Sequence, residues 1–181
     1  FGDMTTSTAT NPAHTYPSAG TYNVTLTAST IHGCQHSASA NVTVNPSPVV
    51  AFSASTACQG EATVFTNSSS ITGATMTHSW DFGDGNTSTL QNPSNNFQFN
   101  GTYTVELIAY SNGCSDTTSQ TYTPLNSPTA SFSSNDECIY DALNFTDLSS
   151  ISGPDVINSW VWDFDDGSPF GGTQNPSHPY T

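Results

Sequence analysis

The chain has 181 residues, with four cysteines, five histidines, fourteen acidic side chains, and no lysine or arginine. These few groups set what chemistry is open to it. The thiols are Cys34, Cys58, Cys114 and Cys138. Thiols suit either soft metals or disulfides. In "HGCQH", His32, Cys34 and His36 have the residue types of a soft-metal site. Asp163, Asp165 and Asp166, with the thinner counterpart Asp81 and Asp84, put hard oxygens into a turn, which suits calcium. The spacing is not that of an EF-hand loop, and solvated turn acids are the simpler reading. No "GxSxG" elbow is present, and serine and aspartate are too abundant for a chance Ser/His/Asp triplet to mean anything.

The chain supplies its own control, because it repeats. "FGDMTTSTATNPAHTY" at Phe1 returns as "FGDGNTSTLQNPSNNF" at Phe82 and as "FDDGSPFGGTQNPSHPY" at Phe164. "GTYNVTL" at Gly20 returns as "GTYTVEL" at Gly101, and Cys58 returns as Cys138. The period of about eighty residues suits one small β domain rather than a solenoid unit. "HGC" at Cys34 returns as "NGC" at Cys114 without its histidines, so a turn is expected there rather than a metal site. No histidine recurs in all three repeats, which also counts against an enzyme.

Proline-rich stretches at Asn45–Pro48 and Thr123–Pro128 mark the boundaries, since proline ends strands and stiffens linkers. Residues 1–47 then form the back part of one domain, 48–127 a complete domain, and 128–181 the front part of a third. The chain reads as a window on a longer tandem array, with any secretion signal upstream or removed.

The formal charge of −14 excludes nucleic acid and anionic membranes as partners, because both need basic residues to displace counterions. No run is long enough to span a bilayer. Without lysine or arginine, trypsin-like proteases have no cleavage site and no Lys–Asn crosslink can form.

Alternation of β-branched and aromatic residues with polar ones predicts strands and no helices. Strands are expected at Val49–Ser55, Ala62–Asn67, Thr75–Phe82, Asn95–Phe99, Thr102–Tyr110 and Asp116–Thr123. One face carries Met76, His78, Trp80 and Phe82, and another Tyr103, Val105, Leu107 and Ala109. Val64 falls outside the parity of Phe65. About seven short antiparallel strands argue for a β-sandwich with Trp80 buried against Phe65 and Leu107. In the third part, "WVWDF" is expected to continue the strand pattern. The partial domains should leave open apolar faces: Tyr22, Val24 and Leu26 on one side, and Phe132, Phe145 and Trp162 on the other.

"WDFGDG", then "NP", then "GTYTVEL" resembles the signature of the PKD (polycystic kidney disease) domain over nearly the whole chain. Trp80, Asp81, Phe82, Gly83, Asp84 and Gly85 carry it in the middle repeat, and Trp162 opens it in the third. Asp165 stands where the family has glycine, and Asn95 where the flanking repeats have His14 and His178. The resemblance implies tandem immunoglobulin-like sandwiches in an extracellular protein, closest to the cysteine-containing repeats of giant bacterial surface proteins exported by type IX secretion.

That topology puts the Cys58 turn and the Cys114 turn at opposite ends of a domain. A strand of about eight residues spans roughly 27 Å, whereas a disulfide needs Cα atoms within about 7 Å. Inter-domain pairing of the cysteines is therefore expected, in an oxidising compartment. Relatives of this type carry O-glycans on "DTT" motifs, which makes Thr117 a candidate. Calcium-binding relatives keep Asp163, Asp165 and Asp166 as a metal candidate, although no cofactor is expected. The expected role is a protease-resistant stalk or filament segment of an adhesin-like surface protein, whose partners are further copies of the repeat. The alternative is a carbohydrate- or ligand-binding accessory module. Its platform would need exposed aromatics, for which Tyr110, Tyr122, Tyr140 and Phe170 are the residues to watch.

Overall fold

The computed structural model describes residues 1–138, 141–169 and 171–180. Among them are twelve strands and no helix. By compactness the chain divides into two units. One holds Phe1–Ser55, Val64–Asn95 and Tyr103–Tyr122, and the other Thr56–Thr63, Asn96–Thr102 and the residues from Thr123 onward.

The first part is built on one hairpin. Strand β1 (Gly20–Ser29) pairs antiparallel with β2 (Gln35–Val44), in register from Gly20↔Val44 to Ser29↔Gln35. The period of two sorts the side chains. One face is a polar ladder, with Asn23 on Asn41 at 3.0 Å, Thr25 on Ser39 at 2.8 Å and Thr27 on Ser37 at 2.8 Å. The other carries Tyr22, Val24 and Leu26, of which Leu26 is 71% exposed.

The middle part has two sheets. Strands β3 (Phe52–Ala54), β4 (Ala62–Asn67) and β7 (Ser94–Asn96) form one, in the order β3-β4-β7. Strands β5 (Thr77–Asp81), β6 (Thr87–Ser88), β8 (Tyr103–Ser111) and β9 (Cys114–Tyr122) form the other, in the order β6-β5-β8-β9. β3 with β4, β5 with β6 and β8, and β8 with β9 all pair antiparallel, with Trp80 opposite Leu107 and Asp81 opposite Glu106. The sheets meet through aromatic rings. Phe52 meets Trp80 edge-on at 5.1 Å, Phe65 meets Phe82 at 5.1 Å, and Tyr122 meets Phe65 at 6.0 Å. Val105, Leu107 and Ala109 are fully buried behind them. The Trp80 Nε1 donates to the carbonyl of Leu90 at 2.9 Å, so the one polar atom of the ring is satisfied.

In the third part, β10 (Phe132–Ser134), β11 (Ala142–Asp147) and β12 (Ser177–Pro179) form a sheet in that order. Its aromatic cluster repeats the middle one pair by pair. Phe132 meets Trp162 edge-on at 5.3 Å, and Phe145 meets Phe164 at 5.3 Å. The difference is cover: Phe132 is 59% exposed, whereas its counterpart Phe52 is 6% exposed.

The all-β class and the buried tryptophan match the expectation. Four local expectations need correction. The first strand does not run from Val49. Val49 makes only an isolated bridge to Ser70, because the Ser69 hydroxyl inserts into the ladder, accepting from the Ala51 N–H at 3.1 Å. Ser149 does the same at Ser131 at 3.2 Å. The strand expected at Asn95–Phe99 stops at Asn96, as the carbonyls of Phe97 and Gln98 turn to the Gly60 N–H and the Gln59 amide. β6 is a further strand, too short at 2 residues for alternation to show in the sequence. "WVWDF" forms no strand, only a bridge from Trp162 to Gly171. In the middle repeat the equivalent stretch is held straight by β8, and among the described residues of 128–180 no strand takes the place of β8.

Candidate functional site

One constellation recurs in all three parts: the turn after the tryptophan position, whose aspartate is met by a residue eleven or twelve positions later. Each carboxylate in it has a local duty. Asp81 Oδ1 accepts from the Gly83 N–H at 2.8 Å, and Asp84 Oδ1 from the Asn86 N–H at 2.9 Å. These are Asx turns, in which a short acid satisfies the backbone two residues on. In the third part Asp163 does the same for Asp165 at 3.0 Å, and Asp166 for Ser168 at 3.0 Å.

The second oxygen of the later aspartate is clasped across the turn. His14 Nε2 lies 2.7 Å from Asp3 Oδ2, and His178 Nε2 lies 2.8 Å from Asp166 Oδ2. Each imidazole also stacks on the motif phenylalanine, His14 on Phe1 at 4.3 Å and His178 on Phe164 at 4.0 Å. In the middle repeat Asn95 takes the place of histidine, and its Nδ2 donates to Asp84 Oδ2 at 2.7 Å. Hydrogen bonds from Thr5, then from His14, hold the Asp3 carboxyl well below the usual carboxylate range. Ser168, then His178, do the same for Asp166.

The "NP" pair has a place too. Asn92 Oδ1 accepts from the Asn67 N–H at 2.9 Å, and the Pro93 carbonyl from the Phe65 N–H at 2.9 Å. Asn175 Oδ1 and the Pro176 carbonyl repeat this with Asp147 at 2.8 Å and Phe145 at 2.9 Å. The pair therefore caps the sheet edge. The sequence showed "NP" and the histidine position as recurring letters. That histidine and asparagine do one job became visible only from the shared carboxylate.

The structure places the remaining candidates as follows. Trp80 and Phe82 are buried in the core, and Trp162 is half-buried. Gly83 and Gly85 have positive φ, as does Asp165 at 57°. Cys34 is exposed in the turn closing β1 on β2, and Cys138 is exposed, while Cys58 and Cys114 are half-buried. All four are free thiols in this structure. Thr117 is exposed on β9, opposite Ile108. No three His, Cys, Asp or Glu side chains gather into a metal-sized group among the described residues, His32, Cys34 and His36 included. Tyr110 is half-exposed and Tyr122 faces the core, while Tyr140 and Phe170 lie outside the described residues.

One cleft of about 480 Å³ opens in the third part, lined by Phe132, Phe145, Trp160, Trp162, Phe164 and Tyr180 among others. Five of these rings, all but Trp160, have counterparts in the middle repeat, Phe52, Phe65, Trp80, Phe82 and Phe97, that are buried in its core.

The family model for the PKD domain matches residues 1–44 and again 45–124. The chain is similar to the PKD1 domain of Vibrio anguillarum Epp, at 30% identity over 45% of this chain and 98% of that one, with a TM-score of 0.42. It is similar to the PKD1 domain of the Vibrio cholerae metalloprotease PrtV, at 30% identity over 45% and 99%, with a TM-score of 0.39. A structure of carbohydrate-binding modules of the β-sandwich superfamily matches at 21% identity over 57% and 54%, with a TM-score of 0.40. No helix among the described residues is long and apolar enough to cross a membrane.

Proposed function

The chain belongs to the PKD domain family, and we propose that it is a structural repeat segment of a large secreted bacterial surface protein of the type IX export class. It acts by extension: domains of about 1–47, 48–127 and 128–181 follow one another through proline linkers and build a stalk or filament of an adhesin. The observation that carries this reading is the recurrence of one aromatic core. Phe52, Phe65 and Trp80 in the middle repeat and Phe132, Phe145 and Trp162 in the third hold matching ring geometries. The motif residues between them serve turns and sheet edges. Their carboxylates are engaged by backbone N–H groups and clasp residues, which supports a structural rather than a catalytic or calcium-binding role. The lack of lysine and arginine supports resistance to trypsin-like proteases outside the cell.

Further copies are the partner in this reading. The front half in 128–181 and the back half in 1–47 complete one another, by chain continuity or by strand complementation. The carbohydrate-binding alternative is weaker, because most of the aromatics of the middle repeat lie in its core.

Joining one, two and four copies in the register of the repeat and imaging them by electron microscopy tests the proposal. Rods whose length grows in proportion to copy number are expected. Compact particles that do not lengthen would overturn it.

A further inference from the structure

We propose that each junction between repeats is a disulfide site. The Cys58 turn of one repeat bonds the last hairpin turn of the following repeat, the position held by Cys114 in the middle repeat and by Cys34 in the first. This rests on the reading of the chain as a tandem array.

Two linker residues carry the inference. Asn45 and Leu125 hold the same place in the repeat, each three residues before the proline that opens the next, Pro48 and Pro128. A cysteine turn grips each of them, but the two turns belong to repeats on different sides of the linker. At Asn45 the thiol comes from the repeat that follows. Cys114 Sγ lies 3.9 Å from the Asn45 carbonyl oxygen, and Asn45 Nδ2 donates to the Asn112 carbonyl at 2.9 Å. At Leu125 the thiol comes from the repeat that precedes. Cys58 forms a parallel β-bridge with Leu125, flanked by Gln59 N–H to the Leu125 carbonyl at 2.8 Å and Leu125 N–H to the Ala57 carbonyl at 3.0 Å.

One linker position is thus the neighbour of both thiol positions. Superposing the two linkers brings the two cysteine turns to the same residue. Strand neighbours lie about 5 Å apart, and a thiol in contact with a carbonyl is one side chain from it. Two cysteines that share one linker neighbour in this way are brought side by side, and a disulfide between them needs their Cα atoms within roughly 7 Å. Cys58 and Cys114 of one repeat, by contrast, sit at different linkers and serve different junctions.

The other two cysteines repeat these settings. The Cys138 carbonyl accepts from Asp141 N–H at 3.0 Å, as the Cys58 carbonyl accepts from Glu61 N–H at 3.0 Å. Gly33 and Gly113, each just before its cysteine, share a left-handed φ of 84° and 81°. When another copy follows in register, Cys58 therefore meets the next copy's Cys34, and Cys138 meets the next copy's Cys114.

The chemistry is thiol–disulfide exchange. One thiolate attacks a disulfide oxidant such as oxidised glutathione and releases one glutathione thiol. The second thiolate displaces the other glutathione and forms the protein S–S bond. Two protons and two electrons leave the protein, and the oxidant becomes two thiols. The product is a covalent brace across a linker that proline already stiffens.

The test uses one polypeptide in which residues 1–181 are followed directly by residues 18–181 of a second copy, so that Thr181 leads into Ser18 and the register of the repeat is held. After treatment with oxidised glutathione and alkylation, the protein is digested with pepsin, since trypsin has no site. Mass spectrometry is expected to find Cys58 of the first copy linked to Cys34 of the second, and Cys138 of the first linked to Cys114 of the second. The remaining thiols should be alkylated. A Cys58–Cys114 link within one copy, or complete alkylation after oxidation, would overturn the proposal. Rods without these links would sink the brace and leave the stalk reading standing.

Discussion

A Cβ placed on Gly83 would lie 2.6 Å from the carbonyl oxygen of Thr104. Gly83 also has a φ of 74°, so two requirements for glycine coincide. The turn approaches β8 backbone to backbone, which closes the core over Phe82. Gly83→Ala should cost about 1–2 kcal/mol for the left-handed backbone and a further ~1–3 kcal/mol for the overlap. Gly85, with a φ of 92° and nothing within 4 Å of its Cβ position, should show the backbone cost alone. Urea unfolding of the two variants separates the effects, and equal losses would mean the close approach contributes nothing.

Trp80 is 1% exposed and touches Phe52, Phe65 and Phe82. Trp80→Ala opens a large cavity that rigid sheets cannot collapse around, at about 3–5 kcal/mol. Trp162→Ala should cost less, because the third cluster is uncovered. Chemical denaturation followed by far-ultraviolet circular dichroism reads both. A larger loss at Trp162 would contradict the difference in burial.

The period-two pattern made Ala62–Asn67 and the Val105, Leu107 and Ala109 face legible, because burial on one side of a sheet forces alternation. The interruption at Ala51 was not legible, since it depends on the Ser69 hydroxyl reaching across the ladder from a partner eighteen residues away. Likewise "WVWDF" has a strand's composition but becomes a strand only where a neighbour such as β8 pairs with it. Composition reports what a segment can do, and pairing decides what it does. The clasp was hidden for a related reason: His14, Asn95 and His178 differ as letters and agree only as partners of a carboxylate oxygen.

Acid should loosen the first and third parts. Asp3 and Asp166 are held well below the usual range, and Asp147 is drawn down to about 2, chiefly by Ser149 and also by Gln174 and Trp160. A carboxylate with a depressed folded pKa stabilises fully above its unfolded value near 3.9, and that stabilisation is lost as pH falls through the folded value. Stability should therefore hold down to about pH 4 and fall from there toward pH 2. Asp147→Asn should flatten part of this slope, as read from unfolding midpoints between pH 2 and 6. An unchanged slope would show that Asp147 is not among the groups responsible.

Asn95 is 7% exposed and ties two groups of the middle turn together. Its Nδ2 donates to Asp84 Oδ2 at 2.7 Å, and its Oδ1 accepts from Asn86 Nδ2 at 3.0 Å. Asn95→Ala removes a hydrogen bond to a charged oxygen and leaves that oxygen with Asn86 as its remaining side-chain donor. Such a loss costs about 1.5–3 kcal/mol. Asn95→His installs the residue that the flanking repeats use at this place. Its ring can stack on Phe82 as His178 stacks on Phe164, and its Nε2 can reach the same oxygen. The histidine variant should therefore keep most of the stability that alanine loses, within about 1 kcal/mol of the parent. Thermal and urea unfolding of the three proteins at pH 7 make the comparison. If histidine is as damaging as alanine, the clasp position is not interchangeable between repeats, and the shared role assigned to His14, Asn95 and His178 is wrong.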